Sequence, residues 1–516
     1  MYINNKLLIG KNNEKEACII PKLVNRHGLI TGASGSGKTT TVKVLSESFA
    51  DAGIPVFMID VKGDLAGTIK PGVEQSWITS RIDEFALTDF SFKGYSVNFF
   101  DVFKKNGLPI RTTVEKVGSK LLSRMLGLSD AQEGILAIAF QIAKDEDYKL
   151  ISLNDLKQLL SYIGENKDDY ILNYGNITTT SVAAIQRNIL ELEQEGGNNF
   201  FGEPELELYD LLQFDFNGKG FINILDATIL YKQPTLYASV LVWLLNTLYD
   251  TMPEVGDLDR PKLALFLDEA HLIFSEMTPD LIKKITQIIK LIRSKGIGVY
   301  FISQSPSDIP EEILGQLGNK VQHVLRSYTP SDEKAIKAAA NSFRANPNFS
   351  TAEAIKSLAT GEALISFLNE GGEPSIVERM FIVPPQSYCS AISDSERDNV
   401  IKSSRCYMKY VNDVNNVSAE EKVQESRTKK AEEKQAAEQA KIDAKEAERK
   451  AKEDAKLAEK KAKEEEKERI RKEKEEQKAK EKKVKAATKV VKQLGNKITN
   501  KATTKVVNSL WKSIFK

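Results

Sequence analysis

Cysteine is scarce in this chain of 516 residues. Cys18, Cys389 and Cys406 are the whole complement, and no two of them form a CxxC pair. That excludes a disulfide scaffold and a thiolate zinc site, and it fits a reducing cytosol. The three histidines, His27, His271 and His323, are scattered and suggest no metal triad. No apolar run approaches the ~20 residues that a membrane-spanning helix needs. The opening Met1-Tyr2-Ile3-Asn4-Asn5-Lys6 lacks a signal-peptide pattern, so the expected compartment is the cytoplasm. Charge of one sign is lacking overall: the net is +1. Val484 to Lys516 nevertheless holds eight lysines and no acid, which leaves −7 on residues 1–483. A mildly acidic body offers no charge-based argument for a nucleic-acid enzyme. Proline and glycine are absent from 419–483. The chain is 41% hydrophobic, ample for a core, and its length suggests about two to four domains.

What is present centres on Gly32-Ala33-Ser34-Gly35-Ser36-Gly37-Lys38-Thr39. It fits G-x-x-x-x-G-K-[ST], a phosphate-binding loop. His27 to Thr31 reads as a short buried strand entering the loop. Thr40 to Ala50 reads as the helix leaving it, with Val42, Val44, Leu45 and Phe49 as its apolar stripe. Glycines let the backbone wrap an anion without Cβ clashes. The loop amides and the helix N-terminus then present partial positive charge. The expected ligand is ATP with Mg²⁺, bound by Gly32 through Thr40. Lys38 reaches the β- and γ-phosphates, and Thr39 ligates the metal.

Lys262 to His271 is an apolar strand, Leu263 to Leu267, that ends in Asp268-Glu269. A strand buried on both faces finishes in two acids when they serve a polar site at the carboxyl edge of the sheet. Asp268 is expected to hold Mg²⁺ through water. Glu269 is expected to act as general base. Gln304 ends a third strand, Gly298 to Ser303, and is a candidate for sensing the γ-phosphate or orienting water. Asp60 has two readings, metal contact or turn former; Asp226 is a weaker candidate of the same kind. A further cation is expected on the transferred phosphoryl group. The arginine candidates are Arg26, Arg293 and Arg326.

Other strands are expected at Pro55–Asp60, Tyr95–Phe100, Phe221–Asp226 and Val321–Arg326, with a closing hairpin at Glu362–Phe367 and Val377–Val383. Residues 1–25 read as a β-rich lead-in. Apolar residues at three- and four-residue spacing mark helices over Val114–Leu126, Asp130–Ala143, Leu153–Ile163, Thr178–Gln194 and Leu236–Leu248. Strands alternating with helices imply an α/β fold with a mostly parallel, doubly wound sheet. The expected organisation is a lead-in and first part of the core (1–103), an all-helical insertion (104–215) that caps the core or mediates subunit contacts, and a second part of the core (216–410). A long charged helix (411–483) and a basic amphipathic tail (484–516) follow.

These motifs together resemble the HerA/FtsK class of P-loop ATPases, in particular the HerA-like (YjgR-like) ATPase family of unknown function. The residues that carry the resemblance are Arg26-His27-Gly28 before the loop, Asp60-Val61-Lys62-Gly63-Asp64-Leu65, Pro109 to Val114, Gln132-Glu133-Gly134, Ala184 to Arg187 and Phe200 to Pro204. They continue through Asp268 to Leu272, Ile292 to Phe301, Leu314 to Asn319 and Val383-Pro384-Pro385. The resemblance covers roughly residues 1–390. It implies a RecA-like P-loop core working as a ring, a homo-hexamer with ATP between subunits. It also implies Lys38 and Thr39 on phosphate and Mg²⁺, Asp268 and Glu269 as the second acidic motif, and Gln304 as sensor. It raises Arg293 as an arginine acting in trans and Arg26 as a second phosphate-side cation. Better-known members of the class translocate double-stranded DNA.

Residues 419–483 favour one long helix of about 100 Å. Its alanines at 437, 440, 444, 447, 451, 455, 458 and 462 leave two states open, a solvated single helix or a weak coiled coil. In the tail, Val507, Leu510, Trp511, Ile514 and Phe515 follow a helical spacing among lysines. That face suits a partner protein, an anionic membrane surface or the chain's own oligomer. Two functions follow: a DNA-translocating, helicase-like ATPase motor, or an ATP-gated scaffold that uses its C-terminal helix to dock.

Overall fold

The computed structural model of the chain describes residues 1–494 apart from Asp257, Glu276 and Asn415. The expected amphipathic face from Val507 to Phe515 lies outside the described residues. The chain divides into two compact units, Met1–Ser426 and Arg427–Lys516.

The first unit is built on one sheet of 13 strands. In chain order they are β1 (Tyr2–Ile3), β2 (Lys6–Lys11), β3 (Glu16–Ile19), β4 (Gly28–Thr31), β5 (Val56–Asp60), β6 (Val97–Asp101), β7 (Leu108–Pro109), β8 (Ile222–Asp226), β9 (Leu263–Leu267), β10 (Ile297–Ser303), β11 (Asn319–Gln322), β12 (Glu362–Ser366) and β13 (Glu378–Ile382). The spatial order is β1-β2-β13-β12-β11-β4-β10-β9-β5-β8-β6-β7, with β3 beside β2. From β11 to β7 every pairing is parallel. The expected α/β class is observed. The lead-in strands extend the same sheet, because β2 pairs antiparallel with β13 of the closing hairpin.

The central strands are apolar on both faces because helices cover both. Their side chains alternate with the pleat. Leu263, Leu265 and Leu267 of β9 and Ile297, Val299 and Phe301 of β10 enter one apolar cluster. Ala264, Phe266, Tyr300 and Ile302 enter the other. Helix α1 (Lys38–Asp51) packs in the second cluster, through Val42, Val44, Leu45 and Phe49. The first cluster is thicker. Helices Val114–Met125, Asp130–Asp145, Leu153–Glu165 and Thr179–Gln194, all lying between β7 and β8, share it with helices Pro234–Thr251 and Pro279–Ile292. Local sequence fixes their starts: Thr113 Oγ1 accepts from the Lys116 amide, and Ser152 with Asp155 forms a capping box.

One strand is shorter than its apolar run suggests. The expectation of Val321–Arg326 is corrected to Asn319–Gln322. After the His323 amide bonds to Thr31 O, the chain turns beneath the loop, where Val324 O accepts from the Ala33 amide.

The long C-terminal helix runs from Ala419 to Leu494. Its first residues belong to the first unit, where Ala419 and Val423 are buried. Glu420 N donates to Asp155 Oδ1 (3.0 Å), and Ser426 Oγ pairs with the Tyr148 hydroxyl (3.1 Å). From Ala431 to Val490 every side chain is exposed, the alanine stripe included. Pairs such as Glu448–Lys452 and Glu459–Lys463 line it at i,i+4. Each is worth roughly 0.3–0.5 kcal/mol to a solvated helix.

Candidate functional site

The phosphate-type loop leaves the carboxyl end of β4, as expected. Gly32 and Gly37 have φ of 154° and 109°. A Cβ on Gly32 would stand 2.5 Å from His323 Cβ, and one on Gly37 would meet the Gly361 backbone at 3.3 Å. Only glycine suits both positions. Lys38 is the first residue of α1, whose N-cap, Gly37, supplies no side-chain cap. The first amides of the helix therefore remain available to a ligand. Thr39 and Thr40 follow in the same turn, half buried. Lys38 Nζ donates to Gly32 O (2.6 Å) and Ala33 O (3.1 Å), curled onto its own loop.

The sheet brings the acidic pair alongside. β10 lies between β4 and β9, with Ser303 level with Thr31 and Phe301 level with Leu267. Asp268 and Glu269, just past β9, therefore stand at the height of the loop. Burial pulls the Lys38 ammonium below its ordinary value. Glu269 pulls it back up, Lys62 adds to the depression, and Asp268 also raises it. The two halves thus stand together at one edge of the sheet, each within reach of the other's charge. Gln304 emerges between them at the end of β10, exposed.

Four acids mark the carboxyl ends of neighbouring strands, and their environments separate them. Asp60 accepts from the amides of Gly63 (2.7 Å) and Leu65 (3.0 Å). Asp101 accepts from those of Phe103, Lys105 and Asn106. Asp226 is taken by Thr228 and Arg397. These three carboxylates tie their own turns, and for Asp60 that is the turn-former reading. Among the described residues, Asp268 accepts only the adjacent Glu269 amide (2.8 Å). Burial, then the neighbouring Glu269 charge, push Asp268 up to about 7. A buried carboxyl so poorly satisfied suits a cation.

Glu269 sits in left-handed backbone, φ 48°. Its Oε1 meets Lys62 Nζ at 2.9 Å. Its Oε2 is buried without a hydrogen bond: His271 Nδ1 is 3.3 Å away but misaligned, and gains none either. Ser36 Oγ, inside the loop, is a third buried atom with no partner. Orphaned donors and acceptors around a glycine-lined cradle fit a triphosphate with its metal.

Lys62 and His323 were not singled out by sequence reasoning. Lys62 is held above its ordinary value: desolvation opposes its charge, and the hydrogen bond and charge of Glu269 outweigh it, helped by Asp268 and Asp64. His323 lies beneath the loop. Its Nδ1 donates to Glu362 O (2.9 Å), and its Nε2 accepts from Thr41 Oγ1 (2.8 Å). Burial lowers it to about 4, so it is neutral.

The arginines divide by edge. Arg326 follows β11 on the loop side and is exposed. Arg26 and Arg293 precede β4 and β10 and stand at the opposite edge, where Asn25 Nδ2 bonds to Arg293 O (3.4 Å). β4 alone spans about 13 Å. The structure therefore does not bring Arg26 or Arg293 to this chain's own cradle.

Comparison with known proteins adds the following. The model of the helicase HerA-like C-terminal family matches residues 5–514. The chain is 25% identical over 380 residues to the DNA double-strand break repair helicase HerA of Sulfolobus acidocaldarius, covering 69% of this chain and 65% of that one. It is 24% identical over 371 residues to the protein of the same name from Saccharolobus solfataricus, covering 69% and 64%. The chain thus spans somewhat less than two thirds of the length of these relatives. Among solved structures, the plasmid coupling protein TrwB in complex with a non-hydrolysable ATP analogue aligns with a TM-score of 0.49 at 13% identity, over 74% of this chain and 92% of that one. Among the described residues, no helix is long and apolar enough to cross a membrane.

Proposed function

This chain belongs to the helicase HerA-like C-terminal family, and from that we propose that it is a Mg²⁺-dependent ATP hydrolase. We propose further that it works as a homo-hexameric ring that moves along double-stranded DNA in the cytoplasm. The observation that carries the proposal is the level juxtaposition of the Gly32–Thr40 cradle with Asp268 and Glu269 across β10.

In this reading the loop amides wrap the phosphates and Lys38 leaves its two carbonyls for phosphate oxygens. Thr39, and Asp268 through water, would hold Mg²⁺. When bound, the metal neutralises charge on the β- and γ-oxygens. Glu269 accepts the proton of the attacking water on its unpartnered Oε2. Gln304 orients that water from the end of β10. Arg293, and with it Arg26, serve the cradle of a neighbouring subunit, since both stand at the edge away from their own. The helical insertion caps one face of the core.

Phosphate release measured with and without duplex DNA, together with the mass of the assembly, tests the reading. Turnover that DNA does not stimulate, together with the absence of a ring, would refute the motor. A second reading, an ATP-gated scaffold, is favoured by the helix whose side chains are exposed from Ala431 to Val490. There the C-terminal region docks a partner protein or an anionic membrane surface. Removing 427–516 separates the two: unchanged DNA-stimulated turnover supports the motor, and lost assembly or localisation supports the scaffold.

A further inference from the structure

Lys62 takes no part in the roles above, yet it stands beside the residues that carry them. It lies two residues past β5, which pairs with β9, so it shares the edge that carries the loop and the acids. Its Nζ holds Glu269 Oε1 at 2.9 Å. The two partners differ in freedom: the Lys62 side chain is 48% exposed and that of Glu269 is 9% exposed. The charge of Lys62 also acts on Lys38 and on Asp268. A half-exposed cation thus stands among the groups assigned to the far end of a triphosphate.

We propose that Lys62 reports the presence of a γ-phosphate by exchanging partners. Without nucleotide it holds the carboxylate of Glu269. With a triphosphate in the cradle it leaves Glu269 Oε1 for an oxygen of the terminal phosphate. The inference rests on the ATPase reading and deepens it.

Three physical points favour the exchange. An ion pair with one half-exposed member is weak, so it gives way readily. A terminal phosphate carries about two negative charges near neutral pH, against one on the carboxylate. Lysine is a compact charge on a flexible stem with three rotatable donors, suited to changing acceptors. A diphosphate ends one phosphoryl group short of the acids, so the Lys62–Glu269 pair persists when ADP is bound. Lys38 distinguishes the two less sharply, because it also reaches the β-phosphate that ADP keeps. It lies within the loop, bonded to Gly32 and Ala33, where both nucleotides place phosphate. The exchange therefore ties removal of the Lys62 charge from the base to the nucleotide that can be hydrolysed.

Calorimetric titration of the full chain with Mg²⁺ and either the β,γ-imido analogue of ATP or ADP tests this. Lys62→Met is expected to weaken the imido analogue about tenfold, the worth of one charge-assisted hydrogen bond, and to leave ADP within about twofold. Lys62→Arg is expected to restore the analogue's affinity. A second variant approaches from the other side: Glu269→Gln removes the competing charge and is expected to raise the preference for the analogue over ADP. Equal loss of both nucleotides in Lys62→Met, no loss of either, or a lowered preference in Glu269→Gln overturns the exchange. Lys38→Ala, titrated alongside, separates the two levels. If it keeps wild-type affinity for both nucleotides, the phosphate-loop reading itself fails. If it loses both while Lys62→Met shows no selective effect, only the exchange fails.

Discussion

Replacing Glu269 by glutamine removes one charge and keeps the size and shape of the side chain. The amide oxygen still accepts from Lys62 Nζ, now 2.9 Å from Oε1. With one partner half exposed, the lost ion pair is worth about 0–1 kcal/mol to the fold. The variant should therefore stay folded. The cradle is untouched, because Lys38 bonds to loop carbonyls and not to Glu269. Nucleotide binding should persist for the same reason. Turnover should not. A positioned general base contributes about 10²- to 10⁴-fold, or roughly 3–5 kcal/mol of barrier. Only Oε2, buried and without a hydrogen bond, is poised for that work, and in glutamine one terminal position is an amide that cannot take a proton. Phosphate release at saturating Mg²⁺–ATP, with calorimetric binding of ADP on the same preparation, reads both expectations. Turnover within about threefold of wild type would show that no base acts from this position. Loss of ADP binding with turnover would show instead that Glu269 builds the cradle.

Acid should loosen the first unit through its buried histidines. Burial lowers His27 and His323 to about 4 from 6.5, with Arg293 and Arg26 adding to the effect at His27 and Lys38 at His323. The unfolded chain takes up the protons first, so this part of the stability is intact above pH 6.5. It declines toward pH 4 by about 1.4 kcal/mol per unit for each histidine, or about 2 kcal/mol each by pH 5. Melting at pH 7 and pH 5 should show a smaller difference in His323→Gln, and an unchanged difference refutes the assignment. Truncation after Ser426 should leave the melting of the first unit in place, whereas truncation after Val417 should lower it. The second cut strips buried Ala419 and Val423, and a buried valine alone is worth about 1.5–3 kcal/mol; equal melting of the two truncations counts against that packing. Arg293→Ala should cut turnover about 10³-fold or more, and mixing it with Lys38→Ala should restore roughly a quarter of wild-type turnover, since a head-to-tail ring then joins intact loops to intact arginines at random. A mixture as inactive as its parts rules out action in trans.

The difference between what the chain's spacing conveys and what it hides follows from the order of strands in space. Local signals sufficed where a motif is read by its own neighbours. Gly32 to Thr39 declares itself by glycines before a helix. Leu263 to Glu269 declares itself by an apolar strand that ends in acids, and the insertion helices by their apolar spacing and caps. Each needs only a window of about ten to fifteen residues. Lys62, His323 and the arginines needed the sheet. Lys62 reaches Glu269 because β5 pairs with β9, strands more than two hundred residues apart in sequence. His323 reaches the loop because β11 pairs with β4. No periodicity records either pairing. Asp60 and Asp268 look alike in sequence, each closing a buried strand. They differ only in whether the turn that follows offers two amides to the carboxylate or one. The edge that carries Arg26 and Arg293 is fixed in the same way: both precede parallel strands whose far ends hold the cradle. Strand direction therefore denies them the phosphate of their own chain, and a role at ATP for either one requires a second subunit to present its loop to that edge.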